Sequence, residues 1–263
     1  MSITSYSTGS AAYDRMMGPW SQVYMPKLLQ AVGIGPGQRV LDVATGTGVA
    51  ALLAADRVGP SGRVVGVDIS LPMLQVAQPK TLSQQIAWMA MDGQALALRG
   101  ESFDAVTCQL GLMFFPDPQR GLAEFRRVLR PSGRVGLAVL SHPAAFPYGI
   151  VFEALARCVP SEHRALLLGF SLGDRGRLET LLKAVGFRDV RVSSERAQVV
   201  FESFDSYWAP IESGGGRAGQ VYVDLAPGVR RGVLHEVRGY MARFERAGRL
   251  TLETETLFGL AVV

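Results

Sequence analysis

The run Val40-Leu41-Asp42-Val43-Ala44-Thr45-Gly46-Thr47-Gly48 constrains this chain more than any other segment. It reads as a short apolar strand ending on a carboxylate, then a glycine-rich turn, then a helix that starts near Val49. Glycines in such a turn admit positive φ and leave bare backbone for a ligand to approach. The helix amides point into the gap at the carboxyl end of the strand, where open α/β sheets hold their ligands. Asp42 decides the charge of that ligand. A dinucleotide enzyme would place a diphosphate here, and two like charges at ~4 Å repel by about 4 kcal/mol at an effective dielectric of 20. A ligand carrying a cationic amine and a sulfonium is attracted instead.

Glycine spacing alone supports a competing reading. Gly46-Thr47-Gly48-Val49-Ala50-Ala51 fits the dinucleotide fingerprint, and Asp68 lies about 20 residues on, where a ribose-binding acid is expected. That describes an NAD(P)-dependent oxidoreductase. Such an enzyme wants an apolar residue in place of Asp42 and commonly a Tyr-x-x-x-Lys pair, which the sequence lacks. A cofactor-binding, non-catalytic regulator is the third reading, because these motifs report binding and not turnover.

Strands and helices alternate along the chain. Strands are expected at Arg39–Val43, Arg63–Val67, Ile86–Met91, Phe103–Gln109 and Arg134–Leu140, then at Arg188–Ser193 and Leu252–Val263. Helices are expected at Ala11–Met17 and Met25–Val32, broken by Gly18-Pro19, and at Val49–Arg57, Leu71–Gln78, Gln119–Leu129 and Arg177–Val185. Arg130-Pro131-Ser132-Gly133 reads as a turn and Gly214–Gly216 as a flexible linker. Crossovers of helical length imply an α/β fold: a Rossmann-like, seven-stranded, mostly parallel sheet with helices on both faces and a helical cap. Three strands end in Asp42, Asp68 and Asp92, so three carboxylates share one edge of that sheet. We expect one domain over residues 1–263. Residues 1–36 form a helical lid and 37–140 the cofactor core. Residues 141–176 and 199–250 are helical insertions that make a substrate cap.

Composition narrows the class. The hydrophobic share of 48% supplies a packed core, and the net charge of +4 is scattered over Arg126-Arg127, Arg130 and Arg230-Arg231. Scattered charge on helix faces argues against a nucleic-acid partner. Two cysteines, Cys108 and Cys158, suggest neither a disulfide framework nor a metal site and fit a reducing cytoplasm. The polar start Met1–Gly9 has no signal-peptide core, and no apolar run is long enough to span a bilayer. The sequence is compatible with a homodimer.

These motifs resemble the class I S-adenosylmethionine-dependent methyltransferases, and most of all the branch of the ubiquinone/menaquinone C-methyltransferases. The run from Val40 to Gly48 resembles their first motif, and Val64-Val65-Gly66-Val67-Asp68-Ile69-Ser70 with Met73 resembles the second. Met91-Asp92-Gly93-Gln94-Ala95-Leu96 resembles the adenine-binding segment. Phe103-Asp104-Ala105-Val106 and Phe114-Phe115-Pro116-Asp117 resemble the fourth-strand region, and Glu124 to Gly133 the approach to the fifth strand. The resemblance implies S-adenosyl-L-methionine as cofactor, S-adenosyl-L-homocysteine as product, and a small-molecule substrate.

Roles follow residue by residue from that resemblance. Asp42 and the backbone of Ala44 and Gly46 hold the methionyl ammonium, and Gly48 allows close approach. Asp68 accepts both ribose hydroxyls. Ile69 and Met73 sandwich the adenine, whose amino group donates to Asp92 while Gly93 supplies the complementary donor. Gln109 lines the methyl-transfer edge. Met73 as plain core, Asp92 as a turn residue and Gln109 as a backbone partner are the competing accounts. Methyl transfer from a sulfonium is an in-line displacement with a neutral leaving group, so positioning carries most of the rate. His142, directly after the fifth strand, is the candidate general base. Tyr13, Trp20 and Tyr24 are candidate lid and substrate residues, joined by Tyr148 and Trp208. Apolar cap residues such as Phe146, Phe152, Leu166 and Phe170 point to a partly hydrophobic acceptor.

Overall fold

The computed structural model describes residues 10–81 and 85–263. The polar segment 1–9, read above as lacking a signal peptide, lies outside the described residues. Strands β1 (Arg39–Val43), β2 (Arg63–Asp68), β3 (Ile86–Ala90), β4 (Phe103–Gln109) and β5 (Leu129–Leu140) run parallel. β8 (Arg249–Val262) pairs antiparallel with both β5 and β6 (Arg188–Phe201). The order is β3-β2-β1-β4-β5-β8-β6, and a two-residue strand, β7 (Glu245–Arg246), adds to β8. Among the described residues the sheet therefore has eight strands, seven of them the expected path and the eighth a short extension. Helices cover both faces. α1 (Ser10–Val32) packs on α2 (Val49–Val58), and α4 (Pro118–Val128) packs on α7 (Arg175–Ala184). α3 (Leu71–Ala77) links β2 to β3. The chain order reverses between β1 and β4, the point where open α/β sheets form their crevice.

Four local expectations are corrected. The amino-terminal pair of helices is one 23-residue helix, α1, with Pro19 and Pro26 inside it. An interior proline costs about 3 kcal/mol. Burial of Met16, Met17, Trp20, Tyr24, Met25, Leu28, Leu29 and Val32 along one side outweighs that cost. The turn Arg130–Gly133 lies within β5, as an irregularity in its pairing with β4, and Ser132 takes a φ of 63° to make it. β6 and β8 are longer than read, because they pair continuously from Arg191↔Leu260 to Phe201↔Leu250. Residues 199–201 thus belong to the sheet and not to the cap. The Gly214–Gly216 segment is a tight turn and not a free linker. Gly215 lies so close to Ala12 of α1 that a Cβ would stand 3.2 Å from its backbone oxygen.

The cap is built from α5 (Gly149–Cys158), α6 (His163–Leu167), α8 (Phe204–Glu212), α9 (Gly216–Asp224) and α10 (Pro227–Met241). Its own core is aromatic. Tyr148 stacks on Tyr207 at 4.7 Å, and each phenol donates to a carbonyl of the other's segment: Tyr148 to Tyr207 and Tyr207 to Pro147.

Candidate active site

The crevice at the carboxyl ends of β1, β2 and β4 is organised by a buried charge. Asp42 lies one residue before the end of β1 and has no exposed surface. Its Oδ1 accepts from the Thr107 hydroxyl of β4 at 2.7 Å, and its Oδ2 from the Thr45 hydroxyl of the turn at 2.6 Å. Asp42 and Thr107 are register partners across the switch point. Burial pushes the Asp42 carboxyl up to about 6, and the two hydroxyls pull against that shift. The carboxylate sits beneath the turn with one hydroxyl on each oxygen and no exposed surface. Asp42 thus clamps the turn to β4 and puts negative potential under the crevice.

The turn itself divides the two glycines by role. Gly46 has φ +55°, and a Cβ there would meet nothing within 4 Å, so its missing side chain opens onto free space at the strand ends. Gly48 has φ +87°, and a Cβ there would lie 2.6 Å from the Trp88 ring and 3.0 Å from Ala77. Gly48 therefore makes room for the protein's own packing, not for a ligand as expected. Ala44 follows β1 with φ 54°, a backbone state that non-glycine residues adopt at some cost.

Asp68 ends β2 and is buried. Its Oδ2 accepts from the Gly46 amide and its Oδ1 from the Ser70 amide, both at 2.8 Å. A carboxylate offers about four acceptor sites, so Asp68 keeps acceptor capacity beyond its backbone amides. Burial raises the Asp68 carboxyl above its ordinary range, against three backbone amides that lower it. Next to it Ile69 is half exposed, with 50% of its surface free, whereas Met73 is buried in the core at 4%. Asp92 is half-buried after β3, and its Oδ1 accepts from the Gln94 amide at 2.8 Å, a local turn. Gly93 is buried because Phe115 and Val43 press against it. Gln109 donates to the Ser21 hydroxyl of α1 at 2.6 Å.

α1 lies across the turn and is latched there. Asp14 accepts from the Thr47 hydroxyl and from Lys80 Nζ, the latter at 2.9 Å, and Lys80 also reaches the Thr47 carbonyl at 3.2 Å. Beyond the latch is a small, partly open apolar cavity of about 50 Å³. Its walls include Tyr13, Met16 and Met17 of α1, Leu110 and Met113 after β4, and Phe146 and Phe152 of the cap. That volume is far below the ~300–1,000 Å³ of an occupied ligand site, so the walls must part to admit an acceptor.

Of the five candidate substrate residues only Tyr13 lines this cavity. Trp20, Tyr24, Tyr148 and Trp208 are buried elsewhere. Trp20 stacks on Tyr24, whose hydroxyl bonds the Thr254 hydroxyl at 2.7 Å, and Trp208 stacks on Phe204. His142 is exposed on the loop after β5 and is not among the cavity walls. Its placement lends the general-base expectation no support, because the structure does not bring the imidazole to the cavity. Sequence reasoning missed Asp14, Lys80 and Thr107, which act through contacts across the fold, and the role of Thr45, which bonds Asp42 three residues before it.

The residues present fit S-adenosylmethionine. The free space above Gly46, the spare acceptor capacity of Asp68, the open flank of Ile69 and the negative potential from Asp42 all suit an adenosyl group with a cationic tail. A model of the ubiE/COQ5 methyltransferase family matches residues 13–166. The chain is 33% identical to nocamycin O-methyltransferase of Saccharothrix syringae over 201 residues, which are 68% of this chain and 72% of that one. It is 37% identical to demethylmenaquinone methyltransferase of Deinococcus radiodurans over 165 residues, 57% of this chain and 68% of that one. Its fold resembles that of the Haemonchus contortus phosphoethanolamine N-methyltransferase 2 complex with S-adenosyl-L-methionine. There the TM-score is 0.62 at 19% identity, covering 99% of this chain and 58% of the other. The oxidoreductase and regulator readings therefore fall, and the chain belongs to the ubiE/COQ5 methyltransferase family, as an S-adenosylmethionine-dependent methyltransferase.

Proposed function

We propose that the chain methylates a small, largely apolar molecule seated in the cavity between α1, the end of β5 and the cap. The cavity carries this reading: Met16, Met17, Met113, Phe146 and Phe152 make its walls apolar, and its Leu110 and Met113 follow β4, one of the two strands at the switch point. Methionines adapt their shape at little cost, which suits a site that must open and re-close. Residues 10–36 act as lid and residues 141–176 with 202–244 as cap, within one domain. The names of the relatives, one O-methyltransferase and one demethylmenaquinone methyltransferase, support a small-molecule acceptor and not a nucleic acid. Cys108, buried, and Cys158, exposed, are both free thiols, which supports a reducing, cytoplasmic setting.

Bound S-adenosylmethionine supplies an electrophilic methyl group on a neutral leaving thioether. The chain's own residues do the rest. Asp68 takes the ribose hydroxyls on its remaining acceptor capacity, and Ile69 covers one face of the adenine. Asp92 and Gly93 meet the adenine edge. Asp42, Ala44 and Gly46 favour the cationic tail through charge and backbone. Gln109, tied to Ser21, joins the lid to the methyl-transfer edge. Among the described residues no carboxylate, imidazole or thiol lines the cavity. Positioning and exclusion of water therefore carry the rate, an effect worth about 7–11 kcal/mol in favourable cases.

Filling the cavity tests this. A Cβ on Gly169 would sit 3.6 Å from both Leu140 and Phe114, so Gly169→Leu has room to start but must project into the cavity. The expected result is a rise of at least tenfold in acceptor KM, with unchanged affinity for S-adenosylhomocysteine. Full methylation of small apolar acceptors by a folded Gly169→Leu protein would place the acceptor elsewhere.

A further inference from the structure

The apolar cavity carries one charge. Among the described residues, Arg217, in the first turn of α9 and beside Gly216, is the sole charged residue on its walls. Its Nε donates to Glu162 Oε2 at 3.0 Å, and Nη2 reaches the same oxygen. Glu162 lies in the short turn before α6 and is not a wall residue. Arg217 therefore belongs to the cavity wall while its counter-ion does not, with a side chain 33% exposed against 26% for Glu162. An arginine has five N–H donors in a planar fork, and one carboxylate oxygen engages two of them. α9 also begins here without a side-chain cap, which adds the positive end of a helix to the same wall. Cation and helix end both favour a negative group, in a chamber whose other walls are uncharged and mostly Met, Leu and Phe.

We infer that Arg217 is a specificity-determining residue for the acceptor, and that the acceptor is an apolar body bearing one acidic group that is ionised at neutral pH. This rests on the reading that the cavity takes the acceptor. Glu162 holds the guanidinium in the empty site and shares it with the incoming anion. The pair thus acts as a gauge of charge. A neutral apolar molecule gains nothing from Arg217, whereas an anionic one gains a charge-assisted contact in partly desolvated surroundings. The nearby carboxylate also limits how tightly any anion is held, so removing the charge of Glu162 tightens anion binding.

The test uses the full-length protein saturated with S-adenosylhomocysteine and two probes of nearly equal shape, 2-naphthoate and 2-naphthamide, followed by calorimetry. The wild type is expected to bind 2-naphthoate at least fivefold more tightly than 2-naphthamide. Arg217→Met keeps the apolar stem and should erase that preference while 2-naphthamide still binds. Glu162→Gln should tighten 2-naphthoate at least threefold and leave 2-naphthamide unchanged. Unaltered S-adenosylhomocysteine affinity in both variants verifies their fold. Equal binding of the two probes to the wild type, or a preference that survives Arg217→Met, overturns the inference while leaving the cavity as acceptor site. Binding of neither probe overturns the cavity reading and the inference with it.

Discussion

Thr107→Val probes the buried charge at the switch point with little change of shape. The Thr107 hydroxyl donates to Asp42 Oδ1 at 2.7 Å, and Asp42 has no exposed surface. The Asp42 carboxyl is pushed up by burial to about 6 from its ordinary 3.8, while this hydrogen bond pulls it down. The sign follows from linkage. A folded-state pKa above the unfolded value gives stability that is fully present below pH ~4 and is lost as pH rises through ~6. Removing the hydroxyl raises the folded pKa further and deepens that loss. At pH 8 the carboxylate is ionised, and a hydrogen bond to a charged group is worth about 1.5–3 kcal/mol; at pH 5 the group is mostly neutral and the bond is worth about 0.5–1.5 kcal/mol. Urea unfolding of both proteins at pH 8 and pH 5, at constant m, reads the difference. The expected outcome is a clearly larger destabilisation at pH 8. Equal losses at the two pH values would mean that Thr107 only packs, and that Asp42 does not hold a charge under the crevice.

Other consequences are equally direct. Gly48→Ala should destabilise the protein by about 1–3 kcal/mol, because its Cβ would stand 2.6 Å from Trp88 in a left-handed backbone state. Gly46→Ala should cost about 1 kcal/mol of stability yet weaken S-adenosylhomocysteine binding at least tenfold, since its Cβ enters the crevice; thermal melts with calorimetry separate the two. Asp14→Asn cuts the latch, a half-exposed pair worth about 0.2–1 kcal/mol, and should speed S-adenosylhomocysteine release about 1.4- to 5-fold in stopped flow. The preference for S-adenosylmethionine over its neutral product should narrow as pH falls through about 6, where Asp42 gains a proton. A ratio of the two affinities that is flat from pH 7.5 to pH 5 would contradict the field argument.

The alternation of apolar strands with helices was legible in the sequence, and so were the three acidic strand ends, because each rests on local periodicity and turn chemistry. Asp42, Asp68 and Asp92 fall at the crevice for that reason. What the sequence concealed depends on tertiary packing. Pro19 and Pro26 read as breaks, but the burial of one side of α1 keeps the helix whole. Trp20, Tyr24, Tyr148 and Trp208 read as ligand aromatics, but aromatics serve equally as core, and stacking places these four away from the cavity. Met16, Met17 and Arg217 gave no local signal that they share one wall. Asp14 could have been noticed as a lone acid on a largely apolar helix, but its partners Thr47 and Lys80 lie far along the chain.

The central claim is that the crevice above Gly46 and Asp68 holds S-adenosylmethionine. Isothermal titration with S-adenosylhomocysteine, run beside NAD and NADP, on the wild type and on Asp68→Ala, tests it most directly. The account predicts that S-adenosylhomocysteine binds and the dinucleotides do not, and that Asp68→Ala loses about 1.5–3 kcal/mol of that binding. Dinucleotide binding, or full S-adenosylhomocysteine affinity in folded Asp68→Ala, would contradict it.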